Sequence, residues 1–444
     1  MHINANLDIN LVALDTADTL TCLVDLTAPV PNSKQQRPGQ SLIVVLDRSG
    51  SMAGEPLEGA KQAIASLIHR LAPQDSFGLV TFDNTADVVI PLRLMADHDL
   101  GTLTTLIGRI DDGGSTDLSS GYLLALKEIK RSRTLSGIAG ATVLLISDGE
   151  ANGGIIDPVR MRDLAGQAFS KHAITTSTLG YGPWYDEVLL EAMSRGGNGT
   201  HAFAPDVDSA VHEIQNVVTD LLDKSIAAAL MRIYPQQGLI AGIAVLQDLP
   251  HWADGDAVVV NLGDLFTGEQ RKTLFTLSVP AIHNLGTASV ADVVFEYTTL
   301  PDLLEHTVTV PLLVNVVSRD EASSRIPDPV VEVEQLLVDI DSRKSDIATS
   351  LRSGEVTTAR RTLARAITTL NTTREHLKQT STSASLRSRL DEAARDLLRL
   401  ADDVTNRDAN QAGKSVMDSF SATSRGRQFR GRPTRRAPNS DDET

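Results

Sequence analysis

Cysteine and aromatic residues are scarce in this chain of 444 residues. Cys22 is its one cysteine, and aromatic side chains make up 4% of the sequence. A single cysteine excludes both an internal disulfide framework and a cysteine-based zinc cluster. A buried, inert thiol in a reducing compartment is the default interpretation of Cys22.

Long apolar runs are also missing. No segment reaches the roughly eighteen apolar residues of a membrane span, and residues 1–6 lack the basic and apolar parts of a secretory leader. We therefore expect a soluble, cytoplasmic protein that makes no membrane contact. A chain of this length with 41% hydrophobic residues can bury a large core, and two or three domains are expected.

Positive charge is sparse over most of the chain. Residues 1–318 contain 19 Lys and Arg against 37 Asp and Glu, which gives 19 − 37 = −18. Residues 404–444 contain 8 against 5, which gives 8 − 5 = +3. Because phosphate binding depends on clustered Lys and Arg, the acidic body is not expected to bind nucleic acid. Only the Arg-rich tail offers a weak contact to RNA.

Common catalytic motifs are absent as well. The sequence has no Gly-x-x-x-x-Gly-Lys-Ser/Thr phosphate loop and no Gly-x-Ser-x-Gly elbow. Its histidines, among them His69, His98 and His172, are scattered without the spacing of metal ligands. We therefore expect a protein that is not an enzyme.

The most informative stretch is residues 41–51, where an apolar run ends in oxygen-bearing side chains. Residues 42–46 are Leu-Ile-Val-Val-Leu, and Asp47, Ser49 and Ser51 follow at alternate positions. A short apolar run rich in β-branched residues is typical of a buried parallel strand, and ligands bind beyond the carboxyl ends of such strands. One carboxylate and two hydroxyls are hard oxygen donors that suit magnesium or manganese.

Two later stretches add donors of the same kind. Residues 113–117 read Gly-Gly-Ser-Thr-Asp before a helical pattern, so Thr116 can present its hydroxyl near a helix start. A second apolar run, 141–147, ends in Asp148 and Gly149. Each residue alone is explained as a turn former or a helix cap. Their occurrence at three loops of one sheet favours a metal site.

This order of motifs resembles the von Willebrand factor type A (VWA) domain and its metal-ion-dependent adhesion site (MIDAS). The resemblance implies that Ser49, Ser51 and Thr116 contact Mg²⁺ or Mn²⁺, while Asp47 and Asp148 hold it directly or through water. Ser115 is the alternative to Thr116. The domain would then bind a protein partner that offers Asp or Glu to the open metal position. The alternative function is a non-catalytic adaptor subunit of a larger enzyme assembly, such as a metal-chelatase or an AAA+ ATPase complex.

The predicted fold class is α/β, with a doubly wound, mostly parallel sheet over residues 40–224. Alternating strand and helix patterns indicate this arrangement. Residues 1–39 read as a β-hairpin, with strands near 7–13 and 20–26, and a linker. Short apolar runs across 225–318 favour an antiparallel β-sandwich that the hairpin completes. A Leu-Gly-Asp-Leu stretch that leads to Gly-Glu, within 262–269, resembles bacterial cytoplasmic proteins that carry the VWA domain.

The last part of the chain has a helical pattern. Apolar residues at helical spacing predict a bundle over 327–404, which is best explained as a spacer or dimer element. Residues 405–444 are polar and basic, and they predict a disordered tail that contributes nothing to the folded core. Deleting residues 415–444 would then leave the melting temperature unchanged.

Overall fold

A computed structural model of the chain shows two compact units. One contains the described residues of 1–32 and 225–431, and the other those of 33–224. No helix of the described part is long and apolar enough to cross a membrane. The residues described are 1–30, 39–136, 141–182, 185–204, 209–210, 213–214, 224–300, 302–378, 383–424 and 426–429.

The strands belong to three sheets, one in the 33–224 unit and two in the other unit. In chain order they are β1 (His2–Leu7), β2 (Leu11–Ala13), β3 (Asp18–Thr27), β4 (Ser41–Asp47), β5 (Ser76–Phe82), β6 (Ala86–Leu94), β7 (Ala141–Ser147), β8 (Ile174–Tyr181), β9 (Asn198–Ala204), β10 (Lys224–Pro235), β11 (Gly242–Val245), β12 (His251–Asp254), β13 (Ala257–Phe266), β14 (Glu269–Val279), β15 (Gly286–Thr299), β16 (Leu304–Val317) and β17 (Arg427–Phe429).

The helices flank the sheet of the 33–224 unit and form a bundle after the last long strand. In chain order they are α1 (Glu55–Ile68), α2 (Leu100–Gly108), α3 (Leu118–Ser136), α4 (Pro158–His172), α5 (Glu187–Gly196), α6 (Arg319–Ala322), α7 (Pro329–Arg352), α8 (Val356–Lys378), α9 (Ala384–Asn406) and α10 (Ala409–Thr423).

The sheet of the 33–224 unit has the order β6-β5-β4-β7-β8-β9. All neighbouring pairs are parallel except β5 with β6, which are antiparallel. β4, β5 and β7 are buried along their whole length. Helices cover both faces of the sheet, so a continuous apolar strand such as 42–46 has no solvent side. The predicted doubly wound α/β fold is confirmed.

Each face of this sheet has its own hydrophobic core. On one face, Leu42, Val44 and Leu46 pack with residues of α1 and α2. On the other face, Ile43 and Val45 pack with residues of α3, α4 and α5. Alternate side chains of one strand therefore feed two cores, which fixes the register of β4 and the position of the loop that follows it.

Acidic residues begin several of these helices. Asp99, Asp157 and Asp186 stand directly before α2, α4 and α5, and each side chain accepts a hydrogen bond from a backbone N–H in the first turn. Such caps satisfy donors that the helix leaves unpaired, and the negative charge suits the positive end of the helix dipole.

The other unit contains two sheets that share one core. One sheet has the order β1-β3-β14-β11, with β17 also paired to β14, and the other has the order β12-β13-β10-β15-β16-β2. β2 runs parallel to β16, whereas β3 pairs antiparallel with β1 and β14, and β15 pairs antiparallel with β10 and β16. Cys22 lies in the shared core and is fully buried. β3 and β2 therefore pair with β14 and β16, which lie more than two hundred residues later in the chain.

The amino-terminal strands differ from the predicted hairpin. β1 pairs with β3, but the apolar positions after residue 7 do not extend β1. β2 instead pairs with β16 in the second sheet. Apolar residues at 7, 9, 11 and 13 look like one strand, but the structure buries Ile9 and Val12, so the alternation breaks where the chain crosses between the two sheets.

The stretch 262–269 has a structural role at the turn between β13 and β14. Gly268 takes a positive φ of 68°, a conformation that favours glycine. Arg271, buried completely, pairs with Glu269 at 2.6 Å and donates to the backbone carbonyls of Leu262 and Asp264. The buried charge is thus paired and hydrogen bonded, as burial requires.

The prediction of a disordered tail from residue 405 is wrong for the described part of that segment. α9 continues to Asn406, and α10 buries Val416 and Phe420 in the core of the bundle. β17 adds a short strand to β14. Polar composition concealed α10 because its apolar residues occupy a single narrow face. Residues 430–444 lie outside the described residues, as do 31–38 of the predicted linker and most of 205–223.

Candidate metal site

Three loops meet at the carboxyl ends of β4 and β7. The chain passes from β4 to β5 on one side, and later returns to place β7 on the other side of β4. Loops that leave β4 and β7 therefore diverge and open a crevice, which is the usual position of a ligand site in such sheets. Asp47 ends β4, and Asp148 directly follows β7.

Asp47 is fully buried at the base of this crevice. Its Oδ1 accepts a hydrogen bond from the Ser49 backbone N–H at 2.8 Å, and its Oδ2 accepts one from the Ser147 hydroxyl at 2.5 Å. Burial raises the pKa of Asp47 above its ordinary value, although the bonds from Ser147 and Ser49 oppose this. The two hydrogen bonds thus fix the orientation of the carboxylate.

The two serines link the first loop to the third. The Ser51 hydroxyl donates to Oδ1 of Asp148 at 2.7 Å, and the Oγ atoms of Ser49 and Ser51 lie 3.1 Å apart. Burial, with the neighbouring negative charge of Asp47, raises the pKa of Asp148 to about 6, while the Ser51 bond lowers it. Two carboxylates and two hydroxyls therefore share one small volume.

The Thr116 hydroxyl points to the same place. A Cβ atom placed on Gly149 would lie 3.0 Å from Ser51 Oγ, 3.5 Å from Thr116 Oγ1 and 3.9 Å from Ser49 Oγ. Thr116 is buried, and its hydroxyl makes no hydrogen bond within the described part of the chain. Ser115, the alternative from the sequence, is exposed. The geometry favours Thr116.

Backbone hydrogen bonds hold the first two loops together. Gly50 donates its N–H to the Gly114 carbonyl at 2.9 Å, and Gly113 donates to the Arg48 carbonyl at 2.6 Å. Asn152 joins the third loop, since its side-chain oxygen accepts the Thr116 N–H at 2.9 Å. The hydroxyls therefore converge on a preformed site.

Asp83, at the end of β5, is a site residue that the sequence reasoning missed. Its carboxylate pairs with Arg48 at 3.0 Å, and its backbone carbonyl accepts the Asp117 N–H at 2.7 Å. Burial opposes ionisation, but the Thr85 N–H and the Arg48 guanidinium hold the pKa of Asp83 below its ordinary value. An available signal was its position after an apolar strand neighbouring β4.

The donor set fits a small divalent cation. Within the described residues, no group of three or more His, Cys, Asp or Glu side chains is placed to hold a metal. A metal here would depend on the hydroxyls of Ser49, Ser51 and Thr116 with Asp47 and Asp148. Hard oxygen donors suit Mg²⁺ or Mn²⁺, and a cation would offset the two buried negative charges.

A family model of the von Willebrand factor type A domain matches residues 42–150, which include all five of these positions. The chain contains a VWA domain. An uncharacterized protein of Synechocystis sp. is 28% identical over 262 residues, which cover 56% of this chain and 60% of that protein. Inter alpha-trypsin inhibitor heavy chain 4 of Mus musculus is 26% identical over 188 residues, 40% of this chain and 20% of that protein. The chain thus spans less than two thirds of either relative.

Solved structures share the fold over nearly the whole chain. A von Willebrand factor type A protein from Catenulispora acidiphila has a TM-score of 0.73 at 15% identity and covers 96% of both chains. VWA2, an ArnB paralog from Sulfolobus acidocaldarius, has a TM-score of 0.64 at 15% identity and covers 94% of this chain and 97% of its own. At such identity these likenesses concern the fold and not the function.

Proposed function

We propose that the VWA domain of this chain is a metal-dependent protein-interaction module. In this proposal Asp47, Ser49, Ser51, Thr116 and Asp148 hold Mg²⁺ or Mn²⁺, and the cation takes an Asp or Glu side chain of a protein partner. The Thr116 hydroxyl carries the proposal. It lies, with the hydroxyls of Ser49 and Ser51, within 4 Å of a Cβ atom placed on Gly149. It lacks a hydrogen-bond partner among the described residues, so it is free to act as a ligand.

The choice of an acidic ligand follows from charge. Three of the five donors are neutral hydroxyls, and the two carboxylates already accept hydrogen bonds from Ser49, Ser51 and Ser147. A divalent cation in this setting keeps part of its positive charge, which favours a carboxylate at any open position. A neutral amide of the same shape would gain much less.

The remaining parts of the proposal concern setting and chemistry. We infer a binding role without catalysis, in which the Ser51 hydroxyl and the Asp148 carboxylate act as metal ligands and not as a nucleophile and its base. The single cysteine, buried in the core, is compatible with a cytoplasmic location. A partner with AAA+ ATPase activity would make the chain an adaptor in a larger assembly.

Metal binding is tested with Mn²⁺ alone, by calorimetry on the full chain. Thr116→Val removes one hydroxyl and no hydrogen bond of the described structure. It should therefore weaken Mn²⁺ binding at least tenfold, and the melting temperature without metal should be unchanged. Ser115→Ala is the matched control. Ser115 is exposed, so this variant should bind Mn²⁺ with the same affinity as the wild type. Equal affinity in Thr116→Val and wild type would contradict the site.

Ligand class is tested with a random peptide library displayed against the immobilised chain. Peptides retained with Mn²⁺ and released by chelator should share an Asp or Glu. Changing that residue to Asn or Gln should abolish retention, because the amide lacks the charge that the cation favours. If peptides are still retained after chelation and by the Thr116→Val variant, they bind another surface of the chain, which would contradict the proposal.

A further inference from the structure

One long sheet edge in the unit with two sheets lacks a neighbour. β16 pairs with β15 from Leu304 to Val316. On its other side, β2 covers only Asn315, Val316 and Val317. Within the described residues, the outer edge of β16 before Asn315 pairs with no strand. Unpaired backbone donors and acceptors on a straight edge are a template for another strand.

The direction of the backbone groups along this edge is fixed by two hydrogen bonds. Asn315 donates its N–H to the Asn10 carbonyl at 2.7 Å, and the Val317 carbonyl accepts the Leu14 N–H at 2.9 Å. Both groups point away from β15. Because outward groups recur at every second residue of an antiparallel strand, Glu305, Thr307 and Thr309 also point outward.

Pro311 sets one limit of the usable edge. It has the same parity as Thr309 and therefore an outward-facing nitrogen, but proline has no N–H to donate. Leu303 sets the other limit, since its positive φ of 56° lies outside strand geometry. The edge thus offers three complete outward residues, Glu305, Thr307 and Thr309, between these two limits.

Side chains along this edge divide between two faces. Thr307 and Thr309 are exposed on the outer face of the sheet. On the inner face Val308 and Val310 lie partly buried against the core, whereas Leu304 is 55% exposed. An added strand would therefore complete a polar threonine face on one side and cover Leu304 on the other.

We propose that this edge pairs antiparallel with the same edge of a second copy of the chain, with Thr307 opposite Thr307 of that copy. Glu305 then lies opposite Thr309 of the second copy on each side. Each directly opposed outward pair exchanges two hydrogen bonds, so three pairs give about six. Leu304 comes opposite Val310 of the second copy, and this apolar contact removes Leu304 from water.

Neighbouring registers leave more backbone hydrogen-bonding groups of this edge unpaired. A shift that centres the two-fold axis on Val308 places Pro311 opposite Glu305 and loses a donor on each side. A shift to His306 places Thr309 opposite Leu303, where strand geometry has ended. The register centred on Thr307 uses all three outward residues of both copies, as a closed two-fold interface requires.

Sedimentation equilibrium of the full chain over a wide concentration range tests the proposal. The wild type should form a dimer. Thr307→Lys and Thr307→Glu should each raise the dimer dissociation constant roughly tenfold or more, since like charges then face each other across the axis. An equimolar mixture of the two variants should regain the dimer, because Lys now faces Glu.

Thr287→Lys is the matched control. Thr287 is exposed on the same sheet, but it lies on β15 opposite Asn315, away from the outer edge of β16 at residues 305–309. This variant should dimerise as the wild type does. A wild type that stays monomeric at every concentration, or a dimer that neither Thr307 variant weakens, would overturn the proposal. A monomeric Lys and Glu mixture would overturn the register. None of these outcomes depends on metal binding.

Discussion

The Ser51 hydroxyl donates a 2.7 Å hydrogen bond to the carboxylate of Asp148, which lies 97 positions later in the chain. This bond joins the loop after β4 to the loop after β7. Separately, Ser51 reads as a turn residue and Asp148 as the end of a strand. Together with the Thr116 hydroxyl they form a pocket of oxygen donors whose members come from three distant segments.

Binding of Mg²⁺ or Mn²⁺ should raise the stability of the folded chain. A ligand that binds only the folded state, at about a hundredfold above its dissociation constant, adds roughly 2.7 kcal/mol. Calcium should add less, because it prefers more ligands at longer distances. Thermal melts with each ion measure the effect. Asp47→Ala should abolish the metal-dependent shift, and a shift that survives in this variant would contradict the assignment.

The loop that carries Thr116 should depend on Gly113. A Cβ atom at this position would lie 2.0 Å from Oδ2 of Asp83, so Gly113→Ala must displace the Asp83 carboxylate that pairs with Arg48. We expect Mn²⁺ affinity to fall roughly tenfold or more, as the loop shifts and misplaces the hydroxyl. Gly108→Ala, where a Cβ meets nothing within 4 Å, is the control and should bind as the wild type does.

The sheet and its site were largely predictable from local sequence. Residues 42–46 and 141–147 are apolar runs long enough for buried strands, and Asp47 and Asp148 mark their ends. Parallel strands bring such ends to one edge, so the site followed from topology. The same rule predicts Asp83 as a site residue, because it follows the neighbouring strand β5, but Asp83 belongs to none of the motifs recognised in the sequence. Asn152 gave no signal, because its contact with Thr116 depends on how a loop folds.

The errors in the prediction have physical causes. Apolar residues at 7, 9, 11 and 13 suggested one strand, whereas the chain leaves β1 after residue 7 and buries Ile9 and Val12 on its way into the second sheet. α10 was missed because its apolar residues are few and spaced one turn apart among polar ones. Tertiary packing, which local sequence does not report, decides both cases.

The carboxyl-terminal helix α10 should contribute substantially to stability. Phe420 is 5% exposed in the bundle core, so Phe420→Ala should lower the free energy of unfolding by about 3–5 kcal/mol. Deleting residues 415–444 should likewise lower the melting temperature. Leu398→Ala in α9 is the control, because Leu398 is 59% exposed and its loss should cost less than about 1 kcal/mol. Denaturant unfolding measures both, and equal costs would contradict the packing of α10.

Acid should weaken the helical bundle through Asp396. Its carboxylate lies 2.9 Å from the buried Lys344 ammonium and accepts a 2.6 Å hydrogen bond from Ser419. Burial would raise the pKa of Asp396, but Lys344, Ser419 and Arg399 outweigh it and lower the pKa from 3.8 to about 2. The unfolded chain therefore binds more protons between these values, and stability falls as pH drops from about 4 to 2.

The pKa difference of Asp396 corresponds to about 2 kcal/mol. Asp396→Asn should cost stability at neutral pH, because the buried Lys344 then keeps, among the described residues, Asp341 alone as an ion-pair partner. The gap between wild type and Asp396→Asn should shrink by about 2 kcal/mol as pH falls below 2, where both side chains are neutral. Urea unfolding at a series of pH values measures this gap. A gap that stays constant with pH would mean that Asp396 does not stabilise the bundle through its charge.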